Sequence, residues 1–201
     1  MINIIDYGAG NLRSVEKALH FLGFDAKISS DPKEILDCDK VILPGVGAFG
    51  DCMNSIRGAG LDTCIKEVID KGKPFLGICL GLQLLFEKSE ESVGATGLSI
   101  FEGENVKIPK MDGLKIPHIG WNSIKYNKDC PIFQGIGDNP YVYFVHSYYI
   151  QPKDTDIICA QTDYGTDLPI AVWRENVFAT QFHPEKSGDV GLKILKNFGN
   201  L

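Results

Sequence analysis

The sequence predicts an α/β fold whose central, mostly parallel sheet is flanked by helices, with extra antiparallel strands in the C-terminal half. In the first half, short apolar runs alternate with helical segments, a pattern typical of parallel strands joined by crossover helices. The second half is richer in β-prone segments than in helices. No linker, repeat or low-complexity segment interrupts the 201 residues, so we expect one domain covering residues 1–201.

Four strands are predicted in the first half, at residues 3–7, 25–29, 40–43 and in the apolar run that reaches Gly77. Leu12, Val15, Leu19 and Leu22 recur at helical spacing after the first strand. Further helical segments extend to about residue 71 and are interrupted near residues 58–60.

A short helix is predicted after the second strand. Asp31 has the identity of an N-cap, Pro32 suits the first turn, and Glu34 stands at the capping-box position. The last helix is expected to begin after Ser187 as its cap and to direct a face containing Phe198 toward the core.

The predictions for the second half are mostly strands. Residues 90–103 have a loop-like composition, and residues 119–122, which follow His118, have a turn-like one. Residues 141–150 and 156–161 are strand candidates, while 170–174 and 177–182 flank the dipeptide Glu175–Asn176 and form a predicted hairpin.

Composition excludes several classes of protein. A net charge of −6 without a long basic run argues against a nucleic-acid surface. No apolar run is long enough to span a membrane, and the N-terminal residues do not resemble a signal peptide. The six cysteines form no Cys-x-x-Cys pair, so we expect free thiols in a reducing cytoplasm and no metal site.

Cys79 lies between two glycines in Gly77–Ile78–Cys79–Leu80–Gly81. This is the cysteine form of the nucleophile elbow, in which a sharp strand-to-helix turn presents a reactive side chain above the sheet. The N–H groups at the start of the following helix favour a thiolate. The alternative is an inert buried cysteine at a strand end.

A nucleophilic thiol needs a base and a group that orients the base. His183 is followed by Pro184, which ends the preceding strand, and Glu185 is two residues away, on the same face if the backbone is extended. His20 lies within a helix, and His146 lies inside a strand pattern, as a packed or rim residue would. A dinucleotide site at Gly8–Ala9–Gly10 is disfavoured because Arg13 replaces the third small residue of the fingerprint.

Together these motifs resemble the class I (triad) glutamine amidotransferases, and the resemblance covers essentially the whole chain. The segments that carry it are Pro44–Gly45–Val46–Gly47, Gly77 to Gln83, and His183–Pro184–Glu185. Within the family, the chain is most similar to glutaminase subunits of imidazole glycerol phosphate synthase. The segments that carry this closer similarity are 6–11, 44–49, 118–122, 146–148 and 186–187.

The resemblance implies a flavodoxin-like amidotransferase fold and hydrolysis of glutamine without a cofactor. Cys79 would attack the side-chain amide, His183 would transfer protons, and Glu185 would orient the imidazole. The resemblance further implies an oxyanion hole and a glutamine site. The oxyanion hole would involve Gly45, Val46, Gly47 and Leu80, and the glutamine site would involve Gln83, Ser147 and Tyr148.

The resemblance also implies a TIM-barrel cyclase partner in a heterodimer, which consumes the ammonia to form imidazole glycerol phosphate in histidine biosynthesis. The isolated subunit would be a poor glutaminase, and the glycines of the oxyanion loop would permit a peptide flip on assembly. The expected docking face contains Asn11, His118, Trp121, Asn122, Tyr141 and Lys186.

Three alternatives remain open from the sequence. The first is a glutaminase subunit for anthranilate, pyridoxal phosphate or purine synthesis. The second is a cysteine hydrolase on a related α/β fold, and the third is a flavodoxin-like binding module without catalytic activity.

Overall fold

An eight-stranded sheet forms the centre of the computed structural model, which describes residues 1–127 and 129–201. Five neighbouring strands are parallel, and the remaining three continue the sheet antiparallel. In spatial order the strands are β2 (Ala26–Ser29), β1 (Ile2–Ile5), β3 (Lys40–Gly45), β4 (Phe75–Cys79), β13 (Val177–Thr180), β12 (Asp167–Arg174), β11 (Ile158–Asp163) and β8 (Lys125–Tyr126). The predicted fold class is confirmed.

Two smaller sheets lie beside the central one. The first contains β10 (Tyr148–Pro152), β6 (Gly103–Lys107) and β5 (Lys88–Ser89), and the second contains β7 (His118–Ser123) and β9 (Tyr141–His146). The turn-like interpretation of residues 119–122 was therefore wrong, because they pair with β9 along their whole length. Residues 141–150 also form two strands in different sheets rather than one.

Within residues 1–127 and 129–201, five α-helices lie between strands, a sixth follows the last strand, and three short 3-10 helices lie outside the strands. The α-helices are α1 (Leu12–Phe21), α2 (Pro32–Asp37), α3 (Phe49–Gly58), α4 (Leu61–Asp70), α5 (Leu80–Leu84) and α6 (Gly188–Gly199). The 3-10 helices are Pro131–Phe133, Thr155–Ile157 and Pro184–Lys186. Within the two described ranges, no helix has the length and apolar character needed to cross a membrane.

The helices cover both faces of the sheet because successive strand residues point to opposite sides. Ile4 packs in the same cluster as Leu19 of α1 and Phe198 of α6. Its neighbour Ile5 packs on the other face with Ile56 and Ile65, from α3 and α4. A strand buried on both faces explains why the first-half strands appear in the sequence as continuous apolar runs.

The predicted cap of α2 is half confirmed. Asp31 accepts the backbone N–H of Lys33 at 2.8 Å, as an N-cap should. Glu34 does not complete the capping box, because its carboxylate accepts the hydroxyl of Ser29 at 2.5 Å and pairs with Lys27. The N–H of Asp31 instead donates to Ser29 Oγ at 3.1 Å.

The predicted hairpin is confirmed between β12 and β13. Arg174 pairs with Val177, and Glu175 turns the chain with a φ of +53°. The hairpin returns β13 to the sheet parallel to β4. As a result, the segment that carries His183 leaves the sheet at the same edge as Cys79.

Candidate active site

The candidate site lies where three parallel strands end. Gly45, the last residue of β3, is in register with Cys79, the last residue of β4. Thr180 at the end of β13 is in register with Ile78, so the chain reaches His183 just beyond the same edge. The carboxyl edge of a parallel sheet is where α/β folds place their ligands.

Cys79 occupies a strained turn between β4 and α5. Its φ of +56° and ψ of −110° lie where residues with a Cβ rarely occur. A Cβ at Gly81 would stand 1.9 Å from the carbonyl oxygen of Leu43, and one at Gly77 would stand 2.8 Å from that of Gly81. The predicted elbow is therefore present, and its glycines are required by close backbone approach.

His183 is held against Glu185, with Nδ1 lying 2.8 Å from Oε1. Both side chains are almost fully buried. The backbone between them is not extended as expected, because residues 184–186 form a 3-10 turn that brings the carboxylate back to the ring. Ser187 is the N-cap residue of α6, as predicted, but its side chain makes no cap bond. Its hydroxyl stabilises the 3-10 turn, because it donates to the carbonyl of His183 and accepts the N–H of Tyr143.

The electrostatic environment of His183 favours its protonated form. Burial alone lowers the pKa of the imidazole, but hydrogen bonding to Cys79 and Glu185 and their charges more than offset burial, and raise the pKa of His183 to about 10. Nε2 is buried and has no hydrogen bond of ordinary geometry within residues 1–127 and 129–201. Glu185 therefore orients the ring through Nδ1, and Cys79 and Glu185 together favour the imidazolium despite its burial.

A cavity of about 300 Å³ opens in front of these groups. Its lining residues are Val46, Gly47, Cys79, Leu80, Gln83, Glu91, Pro117, Val145, His146, Ser147, Tyr148 and His183. The cavity thus brings together the expected nucleophile and base, and the side chains expected for glutamine binding. Gly45 lies behind this wall, where a Cβ would stand 2.6 Å from the hydroxyl oxygen of Tyr7.

The loop after β3 forms one side of the cavity. Gly47 has a φ of +108°, a conformation that favours glycine. The carbonyl of Val46 accepts the thiol of Cys52 at 3.5 Å. This contact fixes the orientation of one peptide plane of the loop.

Gln83 and Gln181 connect the cavity wall to the nucleophile. Nε2 of Gln83 donates to the carbonyl of Tyr148 at 3.1 Å and to Oε1 of Gln181 at 3.0 Å. Nε2 of Gln181 in turn lies 3.7 Å from Cys79 Sγ. Sequence reasoning gave Gln181 no role, although its position two residues before His183, beyond the same strand end, was a usable signal.

Glu91 was also missed by the sequence analysis. Its carboxylate lines the cavity and accepts the N–H of Phe49 at 2.8 Å, at the start of α3. An acidic group is favourable at a helix N-terminus. The contact joins positions 42 residues apart in a stretch of loop-like composition, so no local pattern indicated it.

The residues expected on a docking face divide into three groups. Trp121 and Tyr141 are 55% and 60% exposed on β7 and β9, and Lys186 is also exposed. Asn11 and Asn122 are half-buried. His118 departs from the expectation, because it is only 3% exposed and points to the inner side of the β7–β9 ribbon.

Two exposed apolar side chains of the same ribbon were not predicted. Ile119 is paired with Val145 across β7 and β9, and both lie on the outer side. Together with Trp121 and Tyr141 they form an apolar outer surface, which we call the ribbon face. Contiguous exposed apolar surface is typical of an interaction site.

Comparison with known proteins gives consistent results. A family model described as glutamine amidotransferase class-I matches residues 3–200. The chain is 58% identical over 201 residues to the imidazole glycerol phosphate synthase subunit HisH of Caldanaerobacter subterraneus subsp. tengcongensis, covering 100% of this chain and 98% of that protein. It is 52% identical over 201 residues to the protein of the same description from Methanocaldococcus jannaschii, covering 100% of both.

Solved structures show the same fold at low sequence identity. A structure described as a glutamine amidotransferase aligns with a TM-score of 0.77 and 19% identity, covering 100% of this chain and 99% of that chain. PurLQS from Thermotoga maritima aligns with a TM-score of 0.76 and 21% identity, covering 99% and 97%. These likenesses support the fold, while the identities above extend along the whole sequence.

Proposed function

The chain belongs to the class-I glutamine amidotransferase family, and from this premise we propose that it is the glutaminase subunit of imidazole glycerol phosphate synthase. The observation that carries the chemistry is the contact between His183 and Glu185 beside Cys79, at one edge of the sheet. The choice of synthase is supported by relatives described as subunit HisH, which match over the full length. We infer that residues 1–201 act as one domain.

The first half-reaction forms a thioester. Sγ of Cys79 attacks the side-chain amide carbon of glutamine, and His183 takes up the thiol proton. The carbon–sulfur bond forms, the carbon–nitrogen bond breaks, and the leaving nitrogen receives the proton from His183 to depart as ammonia. Glu185 holds Nδ1 of the ring, which leaves Nε2 directed at the sulfur and the leaving group.

The second half-reaction releases glutamate. A water molecule attacks the thioester carbon while His183 accepts one of its protons. The carbon–sulfur bond breaks, and the proton returns to the sulfur to restore the starting thiol. The raised pKa of His183 supports its role in the first half-reaction, because Cys79 and Glu185 stabilise the imidazolium against the opposing effect of burial.

The tetrahedral intermediates carry a negative oxygen that needs aimed donors. Leu80 begins α5 immediately after the nucleophile, so its backbone N–H is one candidate donor. The loop through Gly45, Val46 and Gly47 supplies the other. In this structure the thiol of Cys52 donates to the carbonyl of Val46. We propose that the loop changes this peptide orientation when a partner docks. A complex with a substrate analogue tests this: no loop N–H near the oxyanion would contradict it.

The amino-acid end of glutamine is assigned to the opposite wall of the cavity. Gln83, Ser147 and Tyr148 provide polar side-chain and backbone groups there. Glu91 adds a carboxylate on the same cavity, with the charge needed to attract an α-ammonium group. The cavity volume of about 300 Å³ suits a ligand of this size.

A partner subunit follows from the proposed assignment. We propose a TIM-barrel cyclase that docks on the ribbon face in a heterodimer and receives the ammonia before water protonates it. The apolar outer side chains Ile119, Trp121, Tyr141 and Val145 support this position. All six cysteines are free thiols, which supports placement of the synthase in the reducing cytoplasm.

A pairing experiment tests the assignment. The chain is mixed with the cyclase of the same organism and its nucleotide substrate, and glutamate and imidazole glycerol phosphate are measured together. We expect both products to form in equal amounts, with slow glutamate release by the isolated chain. Ammonia consumption with an anthranilate, pyridoxal phosphate or purine synthase, and none with the cyclase, would reject the proposal.

A further inference from the structure

His118 and His146 form a buried pair for which the reaction above has no use. They face each other across β7 and β9, with Nδ1 of His118 lying 3.0 Å from Nε2 of His146. The ring of His118 is stacked between Phe144 and Tyr164, at centroid distances of 4.6 and 3.9 Å. Their bonding partners determine which nitrogen of each ring carries hydrogen.

The backbone carbonyl of Tyr148 determines which nitrogen of His146 carries hydrogen. This carbonyl can only accept, and it lies 2.9 Å from Nδ1 of His146. Nδ1 of His146 must therefore carry hydrogen, and in a neutral ring Nε2 carries none. Nε2 of His146 faces His118 and can only accept, so Nδ1 of His118 is the donor between the two rings.

At the other end of the pair, Asn122 independently determines which nitrogen of His118 carries hydrogen. Its Oδ1 accepts the N–H of Ser123 at 2.8 Å, and its Nδ2 donates to the carbonyl of Asp163 at 2.8 Å. The amide orientation is thereby set, and Nδ2 faces Nε2 of His118 at 3.5 Å. Nε2 of His118 is therefore the acceptor, so its Nδ1 carries hydrogen, which is the arrangement that Tyr148 requires.

Two neutral rings are needed for this chain of bonds, and their environment provides them. Burial lowers the pKa of His146 to about 3 and that of His118 to about 4. The direction of donation is consequently the same along the chain, from Asn122 through His118 and His146 to the carbonyl of Tyr148.

The same carbonyl connects the pair to the nucleophile. It also accepts Nε2 of Gln83, whose second hydrogen goes to Oε1 of Gln181. Because Oε1 of Gln181 is engaged, its Nε2 is the atom turned toward Cys79 Sγ. Each bond in this series determines the orientation of the next amide.

We propose that His118 and His146 are positioning residues, which fix the amides of Gln83 and Gln181 through the carbonyl of Tyr148 and thereby direct an N–H at the sulfur of Cys79. This inference rests on the proposed glutaminase function. The N–H stabilises the thiolate, because a charged acceptor strengthens a hydrogen bond. His118 lies directly beneath the ribbon face, so the series begins where the partner is proposed to dock.

Two substitutions at position 118 separate positioning from packing. His118→Phe keeps a stacked ring but removes the donor, whereas His118→Asn keeps a donor near the position of Nδ1 but removes the ring. In the complex, we expect His118→Phe to lower kcat/KM for glutamine about 10-fold, since a buried acceptor loses its partner. We expect His118→Asn to retain more activity despite a lower melting temperature. Any other order of the two activities, including equal losses or none, overturns the proposal.

Histidine nitrogen signals test the network without an activity assay. In the full chain at neutral pH, we expect both His118 and His146 to be neutral with hydrogen on Nδ1, and hydrogen on Nε2 of either ring overturns the proposal. The matched control His20→Phe removes a histidine that binds the carbonyl of Ala26, outside the site, and should leave kcat/KM unchanged. If the wild-type complex hydrolyses no glutamine, the proposed function fails, whereas the nitrogen signals still decide the network.

Discussion

Nδ1 of His183 lies 2.8 Å from Oε1 of Glu185 across a 3-10 turn, with both side chains buried. A buried carboxylate beside a buried imidazole fixes both the orientation of the ring and the nitrogen that carries hydrogen. We propose that this relationship makes the thiol of the elbow part of a catalytic arrangement.

Glu185→Gln should lower kcat much more than it changes KM. The amide is similar in shape but cannot stabilise the imidazolium, so we expect kcat for glutamine to fall roughly 100-fold or more. Steady-state kinetics of the complex measure this effect. Wild-type kcat in a correctly folded variant would show that the carboxylate charge is not needed.

Gly81→Ala should destabilise the elbow severely. The added Cβ would stand 1.9 Å from the carbonyl oxygen of Leu43, so β3 and α5 must separate. We expect a loss of roughly 3 kcal/mol in the free energy of unfolding, or failure to fold. Gly58→Ala is the matched control, because no atom lies within 4 Å of its added Cβ. Equal stability of the two variants in urea would contradict the close approach.

Acid should destabilise the protein through His118 and His146, the two buried histidines whose pKa is lowered. The pKa of His146 is lowered to about 3 in the folded chain, so the unfolded chain binds the proton preferentially below its ordinary value of about 6.5. Stability is therefore lost as pH falls below that value, by roughly 2 kcal/mol for this residue between pH 6.5 and 5. Urea titrations should show a shallower decline for His146→Gln. A parallel decline would indicate that His146 is protonated in the fold.

Trp121→Ala should weaken assembly without weakening the fold. Its side chain is 55% exposed on the ribbon face. Its ring packs edge-on against that of Tyr143, with 6.2 Å between the ring centroids. Large aromatic anchors dominate interfaces, so we expect the Kd for the cyclase to rise about 10-fold or more. Phe21→Ala is the control, since Phe21 is exposed at the far end of α1. Equal effects of both substitutions on Kd would remove the ribbon face from the interface.

The sequence predicted the parts of the site that have local causes. The elbow at Cys79 is detectable because only glycines tolerate the approach of Leu43 and Gly81. The association of Cys79 with His183 was expected from their motifs and the family resemblance, and the pairing of β13 with β4 brings both residues to one edge. Boundaries of the first strands differed from prediction by one or two residues, as expected where strand ends fray into loops.

Other features depend on contacts between distant positions. The bond from Gln83 to Gln181 joins residues 98 positions apart, and no periodic pattern indicates it. Gly120 gives the sequence of β7 a turn-like composition, so neither the strand nor the burial of His118 was predicted. In the structure Gly120 lies within the strand with a φ of +125°. Ser187 occupies its predicted N-cap position, but its hydroxyl accepts the N–H of Tyr143, 44 residues away, instead of capping α6.

The most direct test of the account measures glutamate formation by the complex with Cys79 replaced by alanine. We expect Cys79→Ala to fold and to bind the cyclase normally, while its turnover of glutamine falls by about 10,000-fold or more. Turnover close to that of the wild type, in the same complex, would show that another group attacks the amide.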